Sequence, residues 1–242
     1  MSNVCNVHLF YVCFHQIIVY SFIMFAVDFI ARRAGHDVNY MALAGLLELS
    51  GQEGSQPPLV GFQGADIVGS LQAVVGIQAA LLEREKTGKG QFVDISLCES
   101  AMILGISSLS QGLAGGLGAR GTGHLDGGLP NYNIYATSDG RFLSVGALEP
   151  HFWARFCKFV DAEHIVKGSC DEVKEFIATK TYDEWSALAK ECDACIEPVL
   201  RVSQLPNHPQ HQARGVFLET SSSSSGSANT AGAGGSGNTP PT

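Results

Sequence analysis

Basic residues are scarce in this sequence. The chain of 242 residues has 15 Lys and Arg against 23 Asp and Glu, which gives a formal net charge of −8 at pH 7. We find no basic stripe with interleaved aromatic residues, which is the pattern that follows a phosphate backbone. Binding to nucleic acid is therefore not expected.

A regular cysteine framework is also missing. The seven cysteines are scattered and odd in number, unlike the paired sets of small secreted disulfide proteins. Cys192 and Cys195 form one C-x-x-C, but no second pair completes a zinc site. We therefore expect a reducing compartment, structural cysteines and no bound metal.

Motifs of several common enzyme classes are absent. The sequence has neither the G-x-S-x-G of serine hydrolases nor the H-E-x-x-H of zinc proteases. Residues 87–90 (TGKG) lack the spacing of a P-loop and predict a helix end. Residues 116–121 match G-x-G-x-x-G only formally, because no helix follows them, and predict a plain linker.

The two ends of the chain differ from its middle. Residues 9–27 are apolar and long enough to span a bilayer core of about 30 Å, but they lack the basic start and cleavage site of a signal peptide. We interpret residues 1–30 as an atypical apolar segment: a chain start unrelated to a working domain, a membrane anchor or a buried helix. Membrane association is expected only through residues 9–27. Residues 221–242 have no large apolar side chain and predict a disordered Ser/Gly-rich tail.

The first half of the middle region predicts helices around one strand. Residues 37–49 and 99–113 show apolar residues at helical spacing. Residues 67–84 are apolar almost all round, which predicts a buried helix. Residues 91–97 alternate between apolar and polar, as a strand does. The glycine-rich residues 112–128 predict a flexible connection.

The second half predicts a hairpin followed by three helices. Residues 132–135 and 142–145 flank a Thr-Ser-Asp-Gly turn, the pattern of two antiparallel strands. The three amphipathic segments that follow are residues 153–160, 171–179 and 182–192. The whole pattern predicts an α/β protein with two lobes joined by a linker.

Two ionisable residues stand out by their position. His36 precedes the first predicted helix, where the positive end of the helix dipole favours a neutral imidazole that accepts a proton. Asp66 directly precedes the apolar segment 67–84, where an unpaired carboxylate is costly. A plain capping role remains open for each residue. Glu149, in a loop after the hairpin, is by default a solvated acid.

A series of short sequence blocks occurs in a specific order across residues 31–220. The blocks are RAGHDVNY (33–40), ALAG (42–45), KTGKGQ (86–91) with Val93 and Asp94, LDGGLP (125–130) with Tyr132, DGR (139–141), GALEP (146–150), DAC (193–195), PVL (198–200) and HQARG (211–215). Together they resemble the α-methylacyl-CoA racemases of the class III CoA-transferase superfamily.

The resemblance implies an α/β class III CoA-transferase fold. Residues 31–130 would form part of a Rossmann-like large domain with the linker, residues 131–205 a small α+β domain, and residues 206–220 a return segment. Two chains interlock in that family, and each active site is shared between the large domain of one chain and the small domain of the other. A homodimer is therefore implied.

The resemblance also implies a catalytic pair. The family's histidine matches His36, and its aspartate lies 30 residues further on, where this chain has Asp66. In the family this pair exchanges the α-proton of a 2-methylacyl-CoA through an enolate, and so interconverts the (R) and (S) forms. We expect the N–H groups at the start of the Asp66 helix to receive enolate charge. No cofactor is implied, because CoA enters as part of the acyl-CoA substrate.

Further site residues follow from the same resemblance. Glu149 resembles the acid that orients the histidine. The residues implied to bind substrate are Asp37, Tyr40, Asp126, Gly127 and Gly128. Methyl-branched fatty acyl and bile-acid-type thioesters are the family's expected substrates. Family members work in peroxisomes and mitochondria, or in the bacterial cytoplasm, and the termini of this chain carry no clear address.

Two alternatives stay open. Class III CoA-transferases, such as formyl-CoA transferase, share the fold and have a nucleophilic aspartate at the position that resembles Asp66. They lack the histidine that matches His36, so His36 favours the racemase. A third interpretation is a truncated and inactive family member, because the family's N-terminal portion, which supplies most contacts to the CoA nucleotide, is not recognisable here.

Overall fold

Residues 34–218 are described by the structure, a computed structural model. They divide into one unit that ends at Val199 and a second that begins at Leu200. The apolar segment 1–30 and the tail 221–242 lie outside the described residues. The expectations for both ends, and the domain boundaries drawn above, therefore stay predictions.

Between residue 34 and the linker, the chain is helical. Its elements are α1 (Asp37–Leu43), α2 (Gly64–Thr87), α3 (Leu97–Met102), a 3-10 turn (Ile103–Gly105) and α4 (Ile106–Leu113). The helix predicted over residues 37–49 is shorter than expected. It ends at Leu43 because the chain turns at Gly45, whose φ of +76° is incompatible with an α-helix.

Helix α2 ends as the sequence predicts. Gly88 adopts the left-handed conformation, with φ +69°, and its N–H donates to the carbonyl of Arg84 at 2.7 Å. This is the usual glycine stop of an α-helix. The TGKG block is therefore a helix end, as expected.

The prediction that α2 is buried is wrong for most of its length. Its buried residues are the small Gly64, Ala65, Gly69 and Ala80. Five larger apolar side chains are each more than half exposed, namely Ile67, Leu71, Val74, Val75 and Leu82. Within residues 34–218, α2 is also the one helix long and apolar enough to cross a membrane, a property that core helices share. Helices α1 and α3 therefore cover only part of its surface.

The strand predicted at residues 91–97 is not formed. This stretch has no regular structure up to Ser96. Its apolar side chains instead pack on α2, where a Cβ added at Gly76 would lie 2.8 Å from Cγ1 of Val93 and 3.3 Å from Cδ1 of Ile95. The alternating pattern is thus satisfied against a helix, without the strand partner that a β-ladder requires.

The part of the chain after the linker contains the sheet. Strands β1 (Tyr132–Ala136), β2 (Phe142–Gly146) and β3 (Ile196–Pro198) pair antiparallel in the order β1-β2-β3. The helices are α5 (Pro150–Phe159), α6 (Cys170–Ile177) and α7 (Tyr182–Glu191), with a 3-10 helix at Glu163–Lys167. The predicted hairpin and three helices are confirmed, and the mixed α and β character with them. The unit from Leu200 contains a 3-10 helix (Val202–Asn207) and α8 (Pro209–Ala213).

Among residues 34–218, the buried apolar residues form two separate clusters. The sheet core brings β2 together with α5, α6 and α7, and its largest wholly enclosed side chains are Trp185, Phe156 and Leu143. The helical core is smaller and joins α1, α2 and α3 through Tyr40, Met41, Ala65, Cys98 and Ala101. The predicted catalytic pair lies beside the helical core.

Candidate active site

The backbone of His36 is held by several hydrogen bonds. His36 is the N-cap residue of α1, in extended conformation, and its carbonyl accepts from the N–H of Asn39 at 2.9 Å. Its own N–H donates to Oδ1 of Asn39 at 3.0 Å. The hydroxyl of Tyr40 donates to the carbonyl of Gly35 at 3.1 Å, which ties down the preceding residue. These bonds fix the direction in which the imidazole leaves the backbone.

Asp37 links this segment to α2. Its Oδ1 accepts from the N–H of Ala65 at 2.7 Å and from the N–H of Asp66 at 3.1 Å. Both donors lie in the first turn of α2, where backbone N–H groups have no partner within the helix. Gln63, the N-cap residue of α2, makes no capping bond with its own side chain in the described structure. Asp37 therefore caps α2 from a distant part of the chain.

This cap changes one expectation. The N–H groups at the start of the Asp66 helix were expected to receive enolate charge, but those of Ala65 and Asp66 already donate to Asp37. That expectation is wrong for these two donors. The carboxylate of Asp37 occupies the positive end of this helix.

His36, Asp37 and Asp66 line one cavity of about 310 Å³. Gln63 lines it as well, and the rest of its wall is apolar, formed by Val38, Leu59, Val60 and Phe62. Leu59 and Phe62 are 78% and 54% exposed, so large apolar surface is open to solvent at this site. The structure thus brings together three of the residues that the sequence singles out.

The surroundings of Asp66 raise the pKa of its carboxyl group above 3.8, its ordinary value. Partial burial is the main cause, and the negative charge of Asp37 adds to it. His36 acts in the opposite sense, because its positive form stabilises the carboxylate. Asp66 therefore holds a proton more readily than an ordinary aspartate does.

Tyr40 lies in the helical core and does not line the cavity. Its side chain is 3% exposed, and its hydroxyl bonds to the backbone next to His36. The arrangement supports the position of α1. The predicted substrate contact of Tyr40 stays a prediction.

The loop at Asp126, Gly127 and Gly128 has a clear structural role. Oδ2 of Asp126 accepts from the N–H of Gly121 at 3.1 Å, and the carbonyl of Gly127 accepts from Nδ2 of Asn133 at 2.8 Å. Gly127 has φ +110°, and a Cβ on Gly128 would clash with the backbone of Thr122. Both glycines are thus required by the turn itself. None of the three lines the cavity, and their predicted contact with substrate stays a prediction.

Glu149 belongs to the sheet-containing part of the chain. It is the exposed N-cap residue of α5, and its carbonyl accepts from the N–H groups of Phe152 at 3.0 Å and Trp153 at 3.2 Å. It is not among the residues that line the cavity with His36. Its predicted part in orienting the histidine is untested.

The described residues offer no obvious metal site. Between residues 34 and 218, no group of three His, Cys, Asp or Glu side chains is arranged to hold a metal ion. Cys192 and Cys195 are both free thiols.

The sequence analysis did not predict the apolar wall of the cavity. Leu59, Val60 and Phe62 follow two prolines in a stretch that reads as a loop. The available signal was large apolar residues in a loop directly before Asp66, which is unusual unless they pack or bind.

Comparison with known proteins gives consistent results at three levels. The family model described as CoA-transferase family III matches residues 14–239. The human alpha-methylacyl-CoA racemase is 35% identical over 203 residues, which are 77% of this chain and 52% of that protein. The human succinyl-CoA:glutarate CoA-transferase is 31% identical over 140 residues, or 58% of this chain and 32% of that protein.

Solved structures share the fold. The crystal structure of a CaiB/BaiF family protein from Brucella suis matches with a TM-score of 0.66 and 23% identity, and covers 82% of this chain and 56% of that one. A hypothetical protein from Mycobacterium tuberculosis matches with a TM-score of 0.66 and 20% identity, and covers 84% of this chain and 58% of that one. The chain spans about half the length of the curated racemases that it matches. By its match to the family model over most of its length, the chain belongs to CoA-transferase family III.

Proposed function

We propose that the protein is an isomerase that interconverts (R)- and (S)-2-methylacyl-CoA thioesters. One observation carries the proposal: His36 lines the same largely apolar cavity as Asp66, and the pKa of Asp66 is raised. A proton acceptor and a proton donor beside one cavity are what a two-base racemase needs. The likeness to the human and mouse alpha-methylacyl-CoA racemases, at 35% and 36% identity, supports the same reaction.

The reaction requires only proton transfer. A thioester acidifies the hydrogen on its α-carbon, so a neutral imidazole of His36 takes that proton while the C–H electron pair moves into an enolate. The protonated carboxyl group of Asp66 then gives its proton to the α-carbon, which sets the new configuration. In the reverse direction the carboxylate of Asp66 accepts the proton and the imidazolium of His36 returns it.

The raised pKa of Asp66 suits this role. Transfer is most efficient when donor and acceptor have similar proton affinities near the working pH. An ordinary aspartate is almost fully ionised at neutral pH and has little proton to give. Partial burial and the charge of Asp37 both move the carboxyl group of Asp66 toward that range.

The cavity wall supports an apolar acyl chain as substrate. Val38, Leu59, Val60 and Phe62 offer apolar surface next to the proton-transfer pair. Burying this surface under an acyl group is favourable, at about 25 cal/mol per Å² of apolar area. Methyl-branched fatty acyl groups suit such a wall, and we propose that the reaction belongs to fatty acid metabolism. We propose no cofactor and no localisation beyond the compartments expected for the family.

A homodimer belongs to the same proposal. Glu149 does not line the cavity of its own chain, and in the family each site is completed by the small domain of a second chain. In the proposed dimer, Glu149 of one protomer orients His36 of its partner. Size-exclusion chromatography with light scattering tests this dimer directly.

CoA transfer is the second candidate. The human succinyl-CoA:glutarate CoA-transferase is 31% identical over more than half of the chain, and the carboxylate of Asp66 lines the cavity, where it is the nucleophile that such a reaction requires. Such a reaction needs Asp66 alone. The two candidates therefore differ in whether His36 is required.

The experiment follows α-proton exchange in deuterated water. Purified protein is incubated with a 2-methylacyl-CoA, and uptake of deuterium at the α-carbon is measured by mass spectrometry. His36→Ala and Asp66→Ala should each lower the rate by about 10²- to 10⁴-fold, the usual contribution of a general acid or base. The exposed residues His164 and Asp183 provide matched alanine controls outside the cavity.

The outcomes separate the candidates. Exchange abolished by either substitution supports the racemase. Transfer of CoA to a free acid, lost with Asp66→Ala but retained in His36→Ala, would replace it with the transferase. Neither activity in the folded protein would overturn both.

A further inference from the structure

We infer that Asp37 is a positioning residue whose carboxylate, by bonding to the start of α2, sets the place of Asp66 relative to His36. The inference rests on the proposed function, because it concerns the same proton-transfer pair. It assigns to the side chain of Asp37 a role within the protein, in addition to the substrate contact expected from the family.

The connection is short and direct. Asp37 follows His36 in the chain, and its Oδ1 bonds to the backbone N–H of Asp66 itself at 3.1 Å, and to that of Ala65 at 2.7 Å. One carboxylate oxygen therefore joins the backbones that carry the two proton-transfer groups. A misplacement of about 1 Å is enough to cost a large factor in rate, so such a link has a direct effect on catalysis.

The segments that this bond joins, α1 and the start of α2, also pack against each other. Ala65 is wholly buried, and Met41 of α1 packs against the start of α2, where a Cβ on Gly64 would lie 3.1 Å from its Sδ. The side chain of Gln63 does not cap α2, so Asp37 supplies the acceptor that its first turn needs. Apolar contact brings the two segments together, and the carboxylate fixes their register.

Asp37 also acts on Asp66 through its charge. Among the described residues, Asp37 raises the pKa of Asp66 through its negative charge, and His36 lowers it. Asp37 thus has two separable properties: an acceptor oxygen that holds the helix start, and a negative charge that keeps Asp66 protonated to a higher pH. Different substitutions separate the two.

Asp37→Asn and Asp37→Ala form the decisive pair. Asparagine keeps an Oδ1 acceptor and removes the charge, whereas alanine removes both. Asp183→Asn and Asp183→Ala are the matched controls, since Asp183 is an exposed aspartate in the first turn of α7.

The first measurement does not depend on activity. Hydrogen–deuterium exchange of the Ala65 and Asp66 amides is followed by mass spectrometry in the wild type and the four variants. We expect Asp37→Ala to exchange these amides about tenfold faster, because each loses its hydrogen-bond acceptor, and Asp37→Asn to keep most of the protection. Unchanged protection in Asp37→Ala would overturn the inference.

The second measurement reports on positioning and charge. In the α-proton exchange assay, Asp37→Ala should lose about 10²-fold in kcat, and Asp37→Asn should recover most of that loss. The pH profile of Asp37→Asn should have its Asp66 limb at lower pH, and carbon NMR of the Asp66 carboxyl group should show the same direction. Equal impairment by alanine and asparagine, with an unchanged pH profile, would contradict the role.

Failure of the proposed function is distinguishable. If the wild-type protein exchanges no α-proton, the racemase proposal fails, while amide exchange and the NMR titration of Asp66 still decide whether Asp37 positions it. If the wild type is active and Asp37→Ala is folded and equally fast, only the inference about Asp37 fails.

Discussion

The sheet core and the helical core differ in how completely a single chain encloses them. The sheet core surrounds Trp185, Phe156 and Leu143 so fully that each is at most 2% exposed. The helical core buries a smaller set, and α2 beside it leaves large apolar side chains open to solvent. The proposed proton-transfer pair lies beside the less enclosed core. The best-enclosed core and the proposed chemistry are therefore in different parts of this chain.

Carboxylates in the two regions show the same division. Glu172 and Glu184 in the sheet-containing part accept bonds from the backbone N–H groups of Ser169 and Thr181, which lowers the pKa of both acids. Asp66 has a raised pKa, because burial and Asp37 oppose its charge. The first two acids close helix starts and stabilise the fold, whereas the surroundings of Asp66, beside a cavity, make its ionised form less stable.

The largest expected effect is on the sheet core. Trp185→Ala should destabilise it by about 3–5 kcal/mol, because it empties a large enclosed volume. It also removes ring contacts to Phe156 and Phe176 at 5.9 and 5.8 Å and the bond from Nε1–H to the carbonyl of Ile177 at 2.8 Å. Urea unfolding, followed by the fluorescence of Trp153 in the same core, measures the loss.

This variant tests the separation of the two cores. Trp185→Phe keeps an aromatic ring and should lose less stability. Amide exchange at Ala65 and Asp66 should stay close to the wild type in Trp185→Ala. If protection at these amides disappears together with the fluorescence transition, the two cores unfold as one and the comparison fails.

A smaller effect is expected in the helical core. Gly69→Ala places a Cβ against Cδ2 of Leu97, so α2 and α3 must move apart or Leu97 must change rotamer. Overpacking of this kind costs about 1–3 kcal/mol. Gly116→Ala is the control, because its nearest contact would be an ordinary 3.6 Å to the carbonyl of Gln111. Thermal unfolding and α-proton exchange are measured together. We expect the rate of α-proton exchange to fall clearly, while the unfolding temperature of the sheet core changes little.

The smallest expected effect is a difference in pH dependence. The stability that Glu172 and Glu184 contribute is present above 4.5, their ordinary pKa, and is lost as pH falls through the lowered values of the folded state. Asp66 acts in reverse. The folded state binds its proton more tightly than the unfolded state, so its contribution falls as pH rises from 3.8 through the raised value.

Two substitutions isolate these contributions. Asp66→Asn should raise stability at neutral pH relative to the wild type and flatten its part of the pH profile. Glu184→Gln should weaken the cap on α7 at neutral pH and matter less in acid. Urea unfolding across the acid range measures both, and the same sign for the two variants would contradict the division described above.

Secondary structure could be predicted from the sequence where the local pattern and the tertiary environment agree. The hairpin and helices α5, α6 and α7 follow from alternation, amphipathic spacing and capping residues such as Ser169 and Thr181. Strand β3 has only three residues, and its existence depends on pairing with β2 far away in the chain. The strand predicted at residues 91–97 was wrong for a related reason: alternation does not specify what a segment packs against.

The candidate site was predictable in part. His36 and Asp66 were recognised from their sequence surroundings, and the structure brings them to one cavity. The link through Asp37 could not be read locally, because an acid that caps a helix 28 residues further on leaves no capping signature next to that helix. The exposure of α2 was unexpected because an all-round apolar sequence predicts burial without saying which element provides the cover.

The bond between Asp37 and Ala65 has a consequence for the order of folding. It closes a loop of 28 residues, whereas the hydroxyl of Ser144 on β2 bonds to the carbonyl of Glu197 on β3 across 53. The entropy lost on closure grows with loop length, and contacts at short sequence separation form faster. We therefore expect His36 and Asp66 to meet early, within a short stretch of nascent chain, before the last strand of the sheet has been added.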